Sequence, residues 1–275
     1  MAGPDHDTKM DALLARLGEC ARLLTTSAGW QRWLTVASRF HRYSLNNQLL
    51  ILAQRPDATR VAGYRTWQGL GRQVKRGERA IAIFAPTTRR VPREDSDEPK
   101  RVVVGFRVAR VFDVTQTEGE PLPELALPEV GVPNDSLLGR LIDLAGAAGH
   151  PVRLVEATGP GVRGWFTPAT GRISLVSTYS RASQTRTLLH ELAHSRDPLL
   201  AQHDRAESEL VAESSAYIIG TGHFGLDMDD ASALYVATWS GGDTDRLYEL
   251  ASEVMATVRQ MERLFEPETE LQPLP

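Results

Sequence analysis

Hydrophobic positions recur with two different periods along this chain, and the change of period outlines its organisation. Leu13, Leu14, Leu17, Leu24, Trp33, Leu34, Ala37 and Phe40 fall at helical spacing. Ser44 is placed to cap a further helix that runs to about Gln54 and closes at Arg55-Pro56. Alternation then replaces the longer period. Residues 79–85 and 101–112 read as strands, and the charged, proline-bearing stretch 89–100 between them reads as an exposed hairpin loop. Pro121, Pro123, Pro128 and Pro133 stand among acidic residues and mark a domain boundary. Beyond it the pattern predicts a helix at about 136–148, strands at 152–155, 164–166 and 171–176, and three helical stretches. The expectation is an α+β protein of two domains. Residues 1–120 carry helices and a small antiparallel sheet, residues 121–133 form a linker, and residues 134–275 carry helices with a short sheet.

Composition narrows the class. Of 275 residues 41% are hydrophobic, enough for two cores, and a single cysteine, Cys20, excludes an internal disulfide framework and a cysteine-based metal site. Residues 1–11 are polar and do not read as a signal peptide, and no apolar run is long enough to span a bilayer. These features predict a cytoplasmic protein with no membrane partner; nothing in the pattern sets an oligomeric state. The net charge of −4 conceals an asymmetry. Residues 1–117 hold 20 Lys and Arg against 11 Asp and Glu, a balance of +9, whereas residues 118–275 hold 11 against 24, a balance of −13. A basic half joined to an acidic half predicts that the first half meets a polyanion.

The most specific chemistry is His190-Glu191-Leu192-Ala193-His194, an H-E-x-x-H pattern. Residues four apart on a helix lie one turn apart on one face, so two imidazoles can share one zinc ion. Glu191 beside them can take a proton from the attacking water. The surroundings favour a helix: no breaker lies between Thr185 and His194, and Asp197-Pro198 stops it. Catalytic zinc needs a third protein ligand. Downstream, Glu209 and Glu213 are also four apart, and Asp204 with Glu207 reads as a capping box at the start of their helix. Their apolar neighbours Leu210, Val211, Ala212, Tyr217, Ile218 and Ile219 predict a largely buried helix, in which a carboxylate needs a cation or a donor. The bland alternative is an exposed acidic stripe. Spacing does not separate Glu209 from Glu213 as the ligand.

In the basic half, arginines alternate with aromatics. Arg39, Arg42, Tyr43, Tyr64 and Arg65 are the contact candidates for unpaired bases and phosphates, and Arg72, Lys75 and Arg76 form a basic turn between Gly71 and Gly77. Trp30, Trp33, Phe40 and Trp67 suit a core at least as well as a stacking platform.

Together these residues resemble the ArdC-type antirestriction proteins of mobile elements. The likeness runs through Ser44 to Leu50, Gly63 to Trp67, Leu70 to Glu78 and Val111 to Gly119, then through His190 to His194, Glu209 to Glu213 and Tyr235 to Trp239. The resemblance implies an N-terminal domain that binds single-stranded DNA and a C-terminal zincin-like metallopeptidase domain acting on a protein or peptide. It implies Zn2+ on His190, His194 and a glutamate; similarity to gluzincin-like peptidases selects Glu209, with Glu213 supporting a ligand histidine. Arginine replaces much of the lysine common in that family's basic turn, and both side chains bind phosphate. In the peptidase reading Glu191 is the proton carrier, and the strand 171–176 ahead of the active helix offers an extended substrate a pairing edge. Two rivals stand beside it. One is a non-catalytic DNA-coating or nuclease-occupying protein with a structural zinc; the other is a plain cytosolic zinc peptidase acting on a repressor.

Overall fold

The computed structural model describes residues 4–93, 96–122, 134–228 and 243–265. The architecture is α+β, as the two periods predict, and the chain divides into two compact units. Their membership differs from the linear reading. Residues 1–24 and 42–123 form the first, whereas residues 25–41 belong with 124–275 in the second. Periodicity shows that a helix has an apolar face but not which neighbour covers it.

In the first unit, α1 (Pro4–Ala21), α3 (Leu45–Gln54) and the short α4 (Tyr64–Gly69) accompany two antiparallel sheets. One has the order β1-β4-β3, from Val61–Gly63, Ser96–Asp113 and Ile81–Arg93; the other pairs β2 (Arg72–Val74) with β5 (Thr117–Gly119). Ser44 caps α3 through its hydroxyl, 3.4 Å from the Asn47 amide, as its position predicts. The expected loop at 89–100 is instead mostly strand: β3 and β4 stay paired from Ile81↔Val111 out to Arg93↔Ser96, with a bulge at Thr87/Thr88. Charged and proline residues obscured the alternation there, although proline is tolerated at a strand edge.

β3 is an edge strand, and α3 covers the inner part of its edge with two amide side chains seven residues apart. Asn47 donates to Phe84 O and accepts from Phe84 N, both at 2.9 Å. Gln54 does the same at Ala82, at 2.9 and 3.0 Å. Each amide completes a backbone pair as a neighbouring strand would, so that stretch of edge offers no free ladder. Asp113 fixes the far end of β4. Its buried carboxylate accepts from the Thr59, Arg60 and Thr115 amides at 2.7–3.0 Å and from the Thr115 hydroxyl at 2.7 Å.

In the second unit, α2 (Ser27–Arg39), α5 (Asn134–Ala147), α6 (Arg181–Arg196), α7 (Arg205–Phe224) and α8 (Thr244–Phe265) pack with a three-stranded sheet of order β6-β8-β7, from Val152–Val155, Arg172–Val176 and Gly164–Thr167. Trp30 and Trp33 are fully buried, which settles them as core, and Phe40 and Trp67 are buried as well. Trp30 Nε1 donates to Ser214 Oγ at 3.0 Å across 184 residues of sequence, tying α2 to α7. Farther along α7, a Cβ on Gly222 would stand 2.2 Å from Ser38 O, so only glycine admits that approach of α2. Among the described residues no helix is long and apolar enough to cross a membrane. The family-like segment 235–239 and most of the expected linker lie outside the described residues.

Candidate metal centre

Two helices build the site. α6 starts where Ser180 Oγ accepts from the Ser183 amide at 3.2 Å, and it presents His190 and His194 one turn apart. α7 starts at the expected capping box: Asp204 Oδ1 accepts from the Glu207 amide at 2.8 Å, and Glu207 accepts from the Asp204 amide at 3.3 Å. In the second turn of that helix, Glu209 faces α6.

Three donor atoms converge. His190 Nε2 lies 3.1 Å from His194 Nε2 and 3.3 Å from Glu209 Oε2, and His194 Nε2 lies 3.9 Å from Glu209 Oε2. Ligands about 2.0–2.1 Å from a tetrahedral ion stand roughly 3.3–3.5 Å apart, so the triangle matches such an ion in size. Both imidazoles are also oriented for ligation. The Glu213 carboxylate accepts from His190 Nδ1–H at 2.8 Å and Ser208 Oγ lies 3.2 Å from His194 Nδ1, so both Nε2 atoms face the centre. On these grounds the residues fit a divalent metal held by His190, His194 and Glu209.

The two glutamates thus part company. Glu209 faces both Nε2 atoms, while Glu213 stands behind His190. The burial argument for carboxylates on this helix does not hold for Glu209, whose side chain is 47% exposed at the mouth of the site. α7 is buried along its other faces, and Glu209 lies on the one that opens to a cleft.

The electrostatics follow from this geometry. Burial opposes a charge on His190, but hydrogen bonds to Glu209 and Glu213 outweigh it and raise the pKa to about 10. His194 moves the other way, down to about 4, through burial and the neighbouring His190 charge. His190 likewise holds the Glu209 carboxyl below its ordinary value. Burial lifts Glu191 to about 6, and the Phe166 backbone N–H, which donates to it from β7, opposes the rise. The site is built to hold one positive charge among carboxylates, and a cation would take over that charge from a proton.

The cleft has a volume of about 660 Å3, and its walls include β7 residues Gly164, Trp165 and Phe166. A Cβ on Gly164 would meet Thr187 of α6 at 2.6 Å, so glycine lets β7 lie close against the active helix. This overturns the expected pairing edge. β8, which contains the strand read at 171–176, is the central strand, bonded to β6 on one side and β7 on the other, and has no free edge. β7 is the edge strand at the cleft. Sequence order placed β8 nearest α6, but sheet order decides which strand is open.

Several supporting residues carried no recognisable signal. Ser208 is an ordinary helix serine until α7 meets α6. His203 is buried between Asp197 Oδ2 at 3.0 Å and Glu253 Oε2 at 2.6 Å, and Arg246 joins Glu253 to Glu207 at the capping box. This chain of polar contacts anchors the α6–α7 connection to α8.

The basic candidates fall in different local settings. Arg39 lies in the second unit and Arg42 in the first. Tyr43 is half-buried with its hydroxyl 3.5 Å from Val61 O, whereas Tyr64 and Arg65 are exposed on α4. Arg72 is engaged internally: its guanidinium donates to Thr117 Oγ1 and to the carbonyls of Thr117, Gly119 and Glu120, holding β2 to β5. Lys75 donates to Thr115 O at 3.1 Å, and Arg76 is exposed.

Known proteins resemble both parts of this description. Residues 10–114 match the family model of the N-terminal domain of anti-restriction factor ArdC. An uncharacterised protein of Bacillus anthracis is 25% identical over 273 residues, 80% of this chain and 46% of that protein, so the chain spans about half the length of this relative. Two crystal structures of the antirestriction ArdC protein from plasmid R388 share the fold. The metal-free form gives a TM-score of 0.53 at 22% identity over 81% of this chain and 85% of that one. The Mn(II)-bound form gives 0.52 at 21% identity over 82% and 86%. Residues 10–114 thus carry a match to the ArdC N-terminal domain, and about four fifths of the chain shares its fold with the R388 structures.

Proposed function

We propose that this protein is an antirestriction factor whose N-terminal part binds single-stranded DNA and whose C-terminal unit is a zinc-dependent peptidase. The observation that carries the second half is the convergence of His190 Nε2, His194 Nε2 and Glu209 Oε2 beside the buried Glu191 in an open cleft. Zinc bound there supplies Lewis acidity to a scissile carbonyl and to water. Glu191 takes the proton of the attacking water and returns it to the leaving amine, a task suited to a carboxyl raised to about 6. Glu213 and Ser208 hold the imidazoles in register. The edge of β7 takes an extended peptide by backbone pairing and lays it across the cleft. DNA binding is supported by the match to the ArdC N-terminal domain and by the +9 balance of residues 1–117.

A paired assay of Glu191→Gln tests the reading. The variant keeps the ligands and the shape but loses the base. It should bind zinc and single-stranded DNA like wild type while proteolysis of a DNA-bound protein disappears. If wild type and variant protect incoming DNA equally well, hydrolysis has no part in the function, and the protein acts by binding.

A further inference from the structure

The first unit holds an open cavity of about 660 Å3 between α1 and the β3–β4 pair. Leu13 and Val108 line it, together with the cationic side chains of Lys9, Arg16 and Arg110, and no carboxylate lines it among the described residues. Lys9 and Arg16 are seven residues apart, two turns along one face of α1, roughly 10 Å from each other. On β4 the side chains alternate, and the pairing runs without a shift from Ala82↔Arg110 through Phe84↔Val108 to Pro86↔Phe106. Arg110, Val108 and Phe106 therefore share one face of the sheet. Phe106 is 59% exposed, more than any other large hydrophobic side chain among the described residues.

A groove lined by three cations, with an exposed aromatic ring farther along the same sheet face as Arg110, is a pattern that meets unpaired nucleic acid: cations track the backbone and a ring receives a base. We propose that this groove is the track for single-stranded DNA, with phosphates on Lys9, Arg16 and Arg110 and a base stacked on Phe106. The inference rests on the reading that the N-terminal part binds such DNA, and it moves the contact surface away from the β2 turn, where Arg72 serves the fold. Charge selects this occupant over an apolar peptide, because the described lining offers three cations and no carboxylate, a balance that suits a polyanion.

The test is fluorescence anisotropy of the full chain with a labelled oligothymidine of about 20 nucleotides across a salt series. Phe106→Ala should weaken binding about tenfold, and Phe106→Trp should restore it, since one stacked base contributes roughly 5- to 150-fold. The triple variant Lys9→Ser, Arg16→Ser, Arg110→Ser should flatten the log–log salt slope by about 2, at 0.7 per phosphate. If wild type does not bind, the DNA reading fails and the groove with it. If wild type binds and the groove variants match it, the groove alone is overturned. A loss confined to Arg65→Ser, Arg76→Ser overturns it too and relocates contact to the α4–β2 surface. So does a wild-type dimer that Phe106→Ala dissociates in sedimentation while DNA affinity is unchanged.

Discussion

Removing Glu209 should cost far more metal affinity than removing Glu213, although the two differ by one helical turn. Glu209 Oε2 faces both ligand nitrogens at 3.3 and 3.9 Å, whereas Glu213 touches only the outer nitrogen of His190 at 2.8 Å. A four-ligand zinc site is worth about 10–16 kcal/mol, so one ligand accounts for about 2.5–4 kcal/mol, or about 10²–10³-fold. A partner that only orients a ligand histidine is worth about 10–100-fold. The conservative variants widen the gap. In Glu213→Gln the amide oxygen still accepts from His190 Nδ1–H, so affinity should stay within a few-fold of wild type. In Glu209→Gln the anionic ligand is gone and affinity should fall nearly as far as in Glu209→Ala. Competition against a chromophoric chelator gives the affinities, and melting with zinc or with EDTA reports the same order independently. Equal losses for the two glutamine variants, or a larger loss at Glu213, would refute the assignment of roles drawn from this geometry.

Ser208→Ala should lower zinc affinity by about tenfold in the same assay, because it removes the hydroxyl 3.2 Å from His194 Nδ1; an unchanged value would mean the ring is oriented otherwise. His190, whose pKa reaches about 10 because Glu209 and Glu213 overcome its burial, must shed a proton to bind a cation, so zinc affinity should climb about tenfold per pH unit between 7 and 9. The sign reverses for chelator-treated protein: a raised folded value stabilises fully below about 6.5 and that contribution is lost as pH rises toward 10. Calorimetry in two buffers should count about one proton released per zinc, and a count near zero would contradict this. Asp113→Ala should destabilise the first unit by about 3 kcal/mol or more in urea unfolding, since four donors lose a buried carboxylate. Burial alone would raise the Asp113 pKa, but the hydrogen bonds from Thr115, Thr59 and Arg60 lower it, so its stabilisation holds above about 3.8 and is lost as pH falls through the folded value. A variant within 0.5 kcal/mol of wild type would show that the donors find other partners.

Local spacing determined everything here that depends on a repeat of one chain segment. The four-residue interval of His190 and His194, the capping box at Asp204 and Glu207, the cap at Ser44 and the tryptophan core were all legible in sequence, because helical periodicity and end chemistry act within a turn or two. Tertiary structure decided whatever depends on the partner of a face or an edge. Whether Glu209 or Glu213 meets the histidines turns on how α7 lies across α6. The open edge at the cleft belongs to β7 because β8, nearer in sequence, is paired on both sides. Arg72 looks like a phosphate ligand until β5 returns to engage it. Residues 25–41 join the second unit because Trp30 finds Ser214, a contact 184 residues distant that no local pattern records. Such choices are set by packing and by satisfying buried polar groups over long separations, where the chain's own period carries no information.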